Sequence, residues 1–112
     1  MLNYIIAQTG AQIVIASSWS KKLHKLSFPS MCAEFIFRTH GLQGLIADVI
    51  IVEREAKDRA TKVAQWCALA RPQSWVHIDD SPVGGPYHIQ PRSDKGLIPK
   101  HATEAIKLLN KT

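Results

Sequence analysis

Residues 74–82 read SWVHIDDSP and join a short apolar run to two adjacent carboxylates. The run is bounded by turn residues and predicts a short strand over residues 74–78 that leads into Asp79 and Asp80. A carboxylate pair at a strand end suits Mg²⁺, which takes one or two carboxylates together with waters and phosphate oxygens. The alternative is a turn in which the two carboxylates accept hydrogen bonds from local backbone amides.

Another apolar run, earlier in the chain, also leads directly into polar residues. Residues 11–16 read AQIVIA and are followed by Ser17 and Ser18. A short β-branched run between polar residues is typical of a strand buried on both faces. Hydroxyls at such a strand end can donate hydrogen bonds to phosphate oxygens.

The rest of the chain alternates between helical and extended patterns. Helices are predicted over residues 1–8 before Gly10, residues 31–39, 58–69 and 99–109, with a weak basic helical pattern over 19–26. A loop with a short strand is predicted over 42–52, and a further strand over 87–90. This order predicts an α/β fold with a small parallel sheet flanked by helices, in which ligands bind at the carboxyl ends of strands.

Length and composition narrow the class of protein. With 112 residues, 46% of them apolar, the chain fits one domain over residues 1–112. No apolar run approaches the roughly 20 residues of a membrane helix, and the N-terminus does not resemble a signal peptide, so we expect a soluble cytoplasmic protein. Cys32 and Cys67 are expected to be reduced, and the five histidines lack zinc spacing. A net charge of +5 favours an anionic partner, either a phosphate-bearing small molecule or nucleic acid.

In this order, the motifs resemble those of the haloacid dehalogenase (HAD) superfamily of phosphohydrolases, which have a Rossmann-like α/β fold. Residues 13–19, IVIASSW, look like the second HAD motif, whose hydroxyl residue binds the substrate phosphate. That role falls on Ser17, with Ser18 as the alternative. Residues 59–67, RATKVAQWC, resemble the helix of the third motif, whose basic residue steadies the phosphate. Arg59 matches it best, and Lys57 is second.

Residues 75–80, WVHIDD, are similar to the fourth motif and imply Mg²⁺ ligands at Asp79 and Asp80. The chain departs from the family in one respect, because it contains no Asp-x-Asp, the motif that carries the nucleophile on the central strand of HAD phosphatases. Asp48 follows the second motif and is therefore in the wrong order to replace it. The resemblance thus implies a HAD domain truncated before its nucleophile-bearing strand, which does not hydrolyse phosphate esters alone.

Two other functions stay open. One is a binding or regulatory module without chemistry for a phosphorylated partner or nucleic acid, to which Lys21, Lys22 and Lys25 would contribute positive charge. The other is an interaction protein whose exposed sheet edge recruits a strand from a second copy, as a homo-oligomer, or from a separate polypeptide. Trp66 and Trp75 are expected in the core.

Overall fold

A computed structural model of the protein describes residues 1–16, 29–53 and 55–110. Its elements, in chain order, are α1 (Leu2–Thr9), β1 (Ile13–Ile15), α2 (Pro29–Thr39), β2 (Ile46–Val49), α3 (Ala56–Ala70), β3 (His77–Ile78), β4 (His88–Ile89) and α4 (Pro99–Leu109). The predicted α/β class is confirmed, and every helix predicted within the described ranges is present. The weak helical pattern over residues 19–26 lies outside the described residues. None of the described helices has the length and apolar character needed to cross a membrane.

The strands form two parallel pairs. β1 pairs with β2, with one irregularity in register between Ile13 and Val14. β3 pairs with β4, so that His77 lies opposite His88 and Ile78 opposite Ile89. The single parallel sheet expected from the sequence is therefore not observed among the described residues, which form two separate two-stranded sheets.

Backbone hydrogen bonds show which edge of β1 and of β3 is paired. The N–H of Ile13 donates to a carbonyl just before β2 at 2.8 Å, and the N–H of His77 donates to the carbonyl just before β4, also at 2.8 Å. Successive peptide groups of a strand point to opposite edges. The peptide groups of Val14 and Ile78 therefore point away from these partners, and no other described strand pairs with those two edges.

Each sheet has its own apolar core. The first core lies between α2 and the β1–β2 pair and consists of Ile15, Ala33, Ile46 and Val49. The second involves α1, β4 and α4 and consists of Ile5, Ile89, Ala102 and Ala105. The two alanines of α4 lie three residues apart, the spacing of side chains that share one face of a helix.

Helix α1 contacts both halves of the molecule. Its Ile5 side chain is buried in the second core. On the first half, the Asn3 side chain donates to the Gly41 carbonyl at 2.8 Å and accepts from the Gln43 N–H at 2.9 Å. The apolar and the polar contacts of this short helix therefore join the two sheets.

Helical spacing predicts that α3 packs through Ala60, Val63, Ala64 and Cys67, and the buried face of this helix differs from that prediction. Val63 is buried, but Ala64 is exposed, and the other buried residue of the helix is Arg59. Trp66 is only half-buried, and its indole N–H donates to the Asp48 carboxylate at 2.8 Å. The expectation that Trp66 lies in the core is therefore wrong, because its polar edge is used in a contact with β2 at the surface.

Candidate functional site

Arg59 and Asp79 form a buried ion pair at the carboxyl end of β3. Arg59 lies in the first turns of α3, and Asp79 follows β3 directly. The Arg59 Nε atom lies 2.7 Å from Asp79 Oδ2, and Nη2 lies 3.4 Å from Oδ1. The two side chains are only 11% and 10% exposed. The structure thus joins the helix of the third motif-like segment to the strand end of the fourth.

The Asp79 carboxylate has further partners besides Arg59. Its Oδ1 atom accepts from the backbone N–H of Ser81 at 2.9 Å, and its Oδ2 atom lies 3.4 Å from His77 Nε2. Burial acts to raise the pKa of Asp79, but the hydrogen bonds from Arg59 and Ser81 and the Arg59 charge outweigh it. The pKa of Asp79 is therefore lowered, and the carboxylate is ionised at neutral pH.

Two histidines on the paired strands complete this cluster. Burial lowers the pKa of His77 and outweighs the opposing effect of the Asp79 charge, with smaller lowering from His88 and Arg59. His77 is therefore neutral at pH 7, and its contact with Asp79 is not an ion pair there. His88 Nδ1 accepts from the Gly84 N–H at 3.1 Å, so its Nε2–H donates to the Asp79 carbonyl at 2.9 Å.

The other predicted site residues are not part of this cluster. The side chains of Lys57 and Asp80 are exposed, and the Asp80 carbonyl accepts from Gln90 Nε2 at 3.2 Å. Ser17 and Ser18 lie outside the described residues, as does the Lys21 to Lys25 cluster. Of the predicted residues, the structure therefore brings Arg59 and Asp79 together, and the functional roles of all six stay predictions.

Comparison with known protein families matches residues 1–102 to the family described as "HAD domain in Swiss Army Knife RNA repair proteins". The chain belongs to this HAD family. The HAD resemblance read from the motifs is thereby confirmed, and with it a phosphatase-type domain. No curated protein and no solved structure matches the chain.

HAD domains generally use Mg²⁺, for which the described part of this chain offers few ligands. Within the described ranges, no three His, Cys, Asp or Glu side chains come together as ligands for a metal ion. Both Asp79 oxygens already accept hydrogen bonds. Two of these bonds come from the Arg59 guanidinium and one from the Ser81 N–H. The Asp80 carboxylate is exposed, and Mg²⁺ held by one carboxylate needs waters and phosphate oxygens as its other ligands. The described residues therefore do not fit the ion as they stand.

A cavity beside the ion pair was not foreseen from the sequence. It has a volume of about 230 Å³ and is lined by Ala60, Val63, Trp75, His77, Gly84, Gly85, Pro86, Tyr87 and His88. Trp75, expected in the core, is half-buried, and its ring centroid lies 4.8 Å from that of Tyr87. A signal was present in the sequence, because Trp75, His77 and Asp79 alternate along an extended segment and so share one face.

Proposed function

We propose that this HAD domain binds the phosphorylated end of an RNA strand at the carboxyl end of β3, and that the 112-residue chain does not hydrolyse the phosphate by itself. The observation that carries the proposal is the buried Arg59–Asp79 pair, in which a helix and a strand end are fixed to each other at 2.7 Å. The family description supplies the RNA context. A net charge of +5 favours a polyanionic ligand.

Arg59 and Asp79 have complementary roles in this proposal. Because Asp79 is ionised, the pair as a whole is nearly neutral, and the carboxylate holds the guanidinium in one orientation. The net positive charge for the phosphate therefore comes from the exposed Lys57 and from the N-terminal end of α3, where backbone N–H groups favour an anion. The hydroxyl of Ser17, or of Ser18, donates to a phosphate oxygen.

We expect no turnover because the chain lacks the Asp-x-Asp motif that would carry the nucleophile. The chain has five aspartates, and no two of them are separated by a single residue. Asp48 does not substitute, because its carboxylate accepts from the Trp66 indole and from the Val49 N–H. Without covalent catalysis, positioning and electrostatic attraction remain, and these give binding without chemistry.

The test compares RNA oligonucleotides that differ only at one end. We expect the chain to bind an oligonucleotide with a terminal phosphate more tightly than the same oligonucleotide with a hydroxyl, as measured by fluorescence anisotropy. Lys57→Met should weaken the preference, whereas Lys62→Met, which removes another exposed lysine of α3, should not. No inorganic phosphate should be released with Mg²⁺ present. Equal binding of both ends, or Mg²⁺-dependent turnover that Asp80→Asn abolishes, would contradict the proposal.

A second function, the addition of a strand from another chain, is favoured by the edges of β1 and β3 that stay unpaired in the described part of the chain. Val14 and Ile78 each present a backbone N–H and carbonyl to an edge that no described strand covers. In this alternative, a strand from a second copy of the chain pairs with one of these edges. Light scattering at high protein concentration should then report a dimer. A strictly monomeric species would rule out self-pairing.

A further inference from the structure

The cavity beside the ion pair has the chemistry of a stacking site. Its walls are formed by the rings of Trp75 and Tyr87, by two histidine rings and by apolar side chains of α3. The Trp75 and Tyr87 rings are inclined by 42° to each other. Their centroids are too close for a third ring to enter between them, so a ligand would stack on an outer face. Tyr87, at 39% exposed, leaves such a face accessible.

The backbone forms the remaining wall of the cavity. Gly84 and Gly85 have φ angles of 76° and 100°, which other residues rarely adopt. The loop therefore depends on glycine to lie against the cavity, and it is fixed there by the bond from the Gly84 N–H to His88. This wall lacks side chains and is open to a flat ligand.

The cavity and the ion pair are adjacent. His77 lines the cavity and its Nε2 atom lies 3.4 Å from the Asp79 carboxylate, while Ala60 lines the cavity and follows Arg59 in the sequence. The cavity therefore shares His77 with the Asp79 side of the ion pair. Base and phosphate belong to one nucleotide, so a nucleotide is the class of ligand that suits an aromatic cavity beside a phosphate site.

The size of the cavity limits the ligand to one ring system. A volume of about 230 Å³ is smaller than the roughly 300 to 1,000 Å³ of pockets that enclose drug-sized molecules. We propose that this cavity binds the terminal nucleobase of the RNA strand whose phosphate the neighbouring site binds, with Tyr87 and Trp75 as the stacking residues. This inference rests on the proposed function. Stacking tolerates any base, because every base has a π face.

The experiment separates the base from the phosphate. The 112-residue chain is titrated with adenosine 5′-monophosphate, with ribose 5-phosphate and with adenosine, by calorimetry and by tryptophan fluorescence. We expect the nucleotide to bind at least about tenfold more tightly than ribose 5-phosphate, the gain typical of one stacked base. Nucleotide and adenosine should both quench the fluorescence. The quenching should be lost in Trp75→Phe and kept in Trp66→Phe.

A matched pair of variants tests the stacking residue. Tyr87→Ala should weaken the nucleotide about tenfold and leave ribose 5-phosphate unchanged. Tyr4→Ala removes another exposed tyrosine, on α1, and should change neither affinity. Circular dichroism should show whether both variants fold. If Tyr87→Ala does not fold, the conservative Trp75→Phe still tests the stacking site.

The outcomes distinguish the two proposals. Equal affinities for nucleotide and ribose 5-phosphate, without quenching, would overturn the base site and leave the phosphate site intact. Quenching by adenosine without any binding of ribose 5-phosphate would support the base site and overturn the phosphate site. If none of the three ligands binds, both proposals fail.

Discussion

Replacing Arg59 by methionine keeps most of the apolar stem of the side chain and removes the guanidinium that holds Asp79. The Asp79 carboxylate, only 10% exposed, would then keep the Ser81 amide and a neutral His77 as neighbours. Removing one partner of a buried ion pair typically costs 3 to 5 kcal/mol, because an uncompensated charge is left behind. Since Asp79 still has one amide donor and some access to water, we expect a loss of about 3 kcal/mol in the free energy of unfolding at pH 7.

Urea denaturation followed by tryptophan fluorescence measures this loss. With slopes of about 1 to 3 kcal/mol per molar urea, the midpoint should fall by roughly 1 to 3 M. Arg38→Met is the control, because Arg38 pairs with Glu34 at the same type of distance, 2.8 Å, but with a side chain that is 55% exposed. A surface pair within one helix contributes only about 0.3 to 0.5 kcal/mol. Equal losses in the two variants would refute the reasoning.

The same comparison at low pH tests the electrostatic cause. The pKa of Asp79 in the folded state is below its ordinary value of 3.8. The stabilisation by the pair is therefore complete above pH 3.8 and is lost as the pH falls through the lower folded-state value. The difference between the wild type and Arg59→Met should shrink accordingly. A difference that stays constant down to pH 3 would instead mean that packing of the arginine stem causes the effect.

Three further perturbations have defined outcomes. Gly44→Val should lower the free energy of unfolding in urea by about 1 to 3 kcal/mol, because a Cβ atom there would lie 2.7 Å from Ile6 Cδ1 and 2.9 Å from Ile13 Cδ1; an unchanged midpoint would contradict this packing. The wild type should lose stability between pH 7 and pH 5, because the lowered pKa of His77 means that the unfolded chain takes up the proton before the folded protein does. His77→Gln should lose less over this range, and identical pH profiles would argue against this cause. Addition of about 10 mM Mg²⁺ should raise the melting temperature by less than about 1 °C, since the Asp79 oxygens are already engaged; a rise of several degrees that Asp80→Asn removes would show a magnesium site.

The helices were predictable because their ends carry local signals. Gly10 takes a left-handed conformation with φ 68°, and its N–H closes α1 on the Ile6 carbonyl at 2.8 Å. Pro99 begins α4, whose predicted and observed bounds coincide. Such signals depend on neighbouring residues only, and no tertiary contact is needed to read them.

The sheet was less predictable because strand pairing depends on distant residues. Strands were expected over residues 74–78 and 87–90, but only His77–Ile78 and His88–Ile89 are paired. Trp75 and Tyr87 lie just outside the ladder and line the cavity instead. An apolar run marks where a strand is possible, but the partner strand decides how much of the run is used.

The candidate site was predicted only in part. Arg59 and Asp79 were found through the order of the motifs, and the structure places them in contact. Helical periodicity pointed elsewhere, because it treats an arginine as a surface residue and an alanine such as Ala64 as a core residue. Alternation along the extended segment puts His77 and Asp79 on one face, but the 3.4 Å distance between His77 Nε2 and Asp79 Oδ2 can be read only from the structure.

The contacts of α1 also determine how late in synthesis the molecule can finish folding. The first core is built from residues 15–49, a continuous stretch that is available early. Ile5 is buried by Ala102 and Ala105, which are translated almost a hundred residues later. Domains rich in such distant contacts fold more slowly than those with local ones. On the ribosome, the apolar side of α1 therefore stays without its partner until α4 has emerged. The residues of the first core are all available before that point.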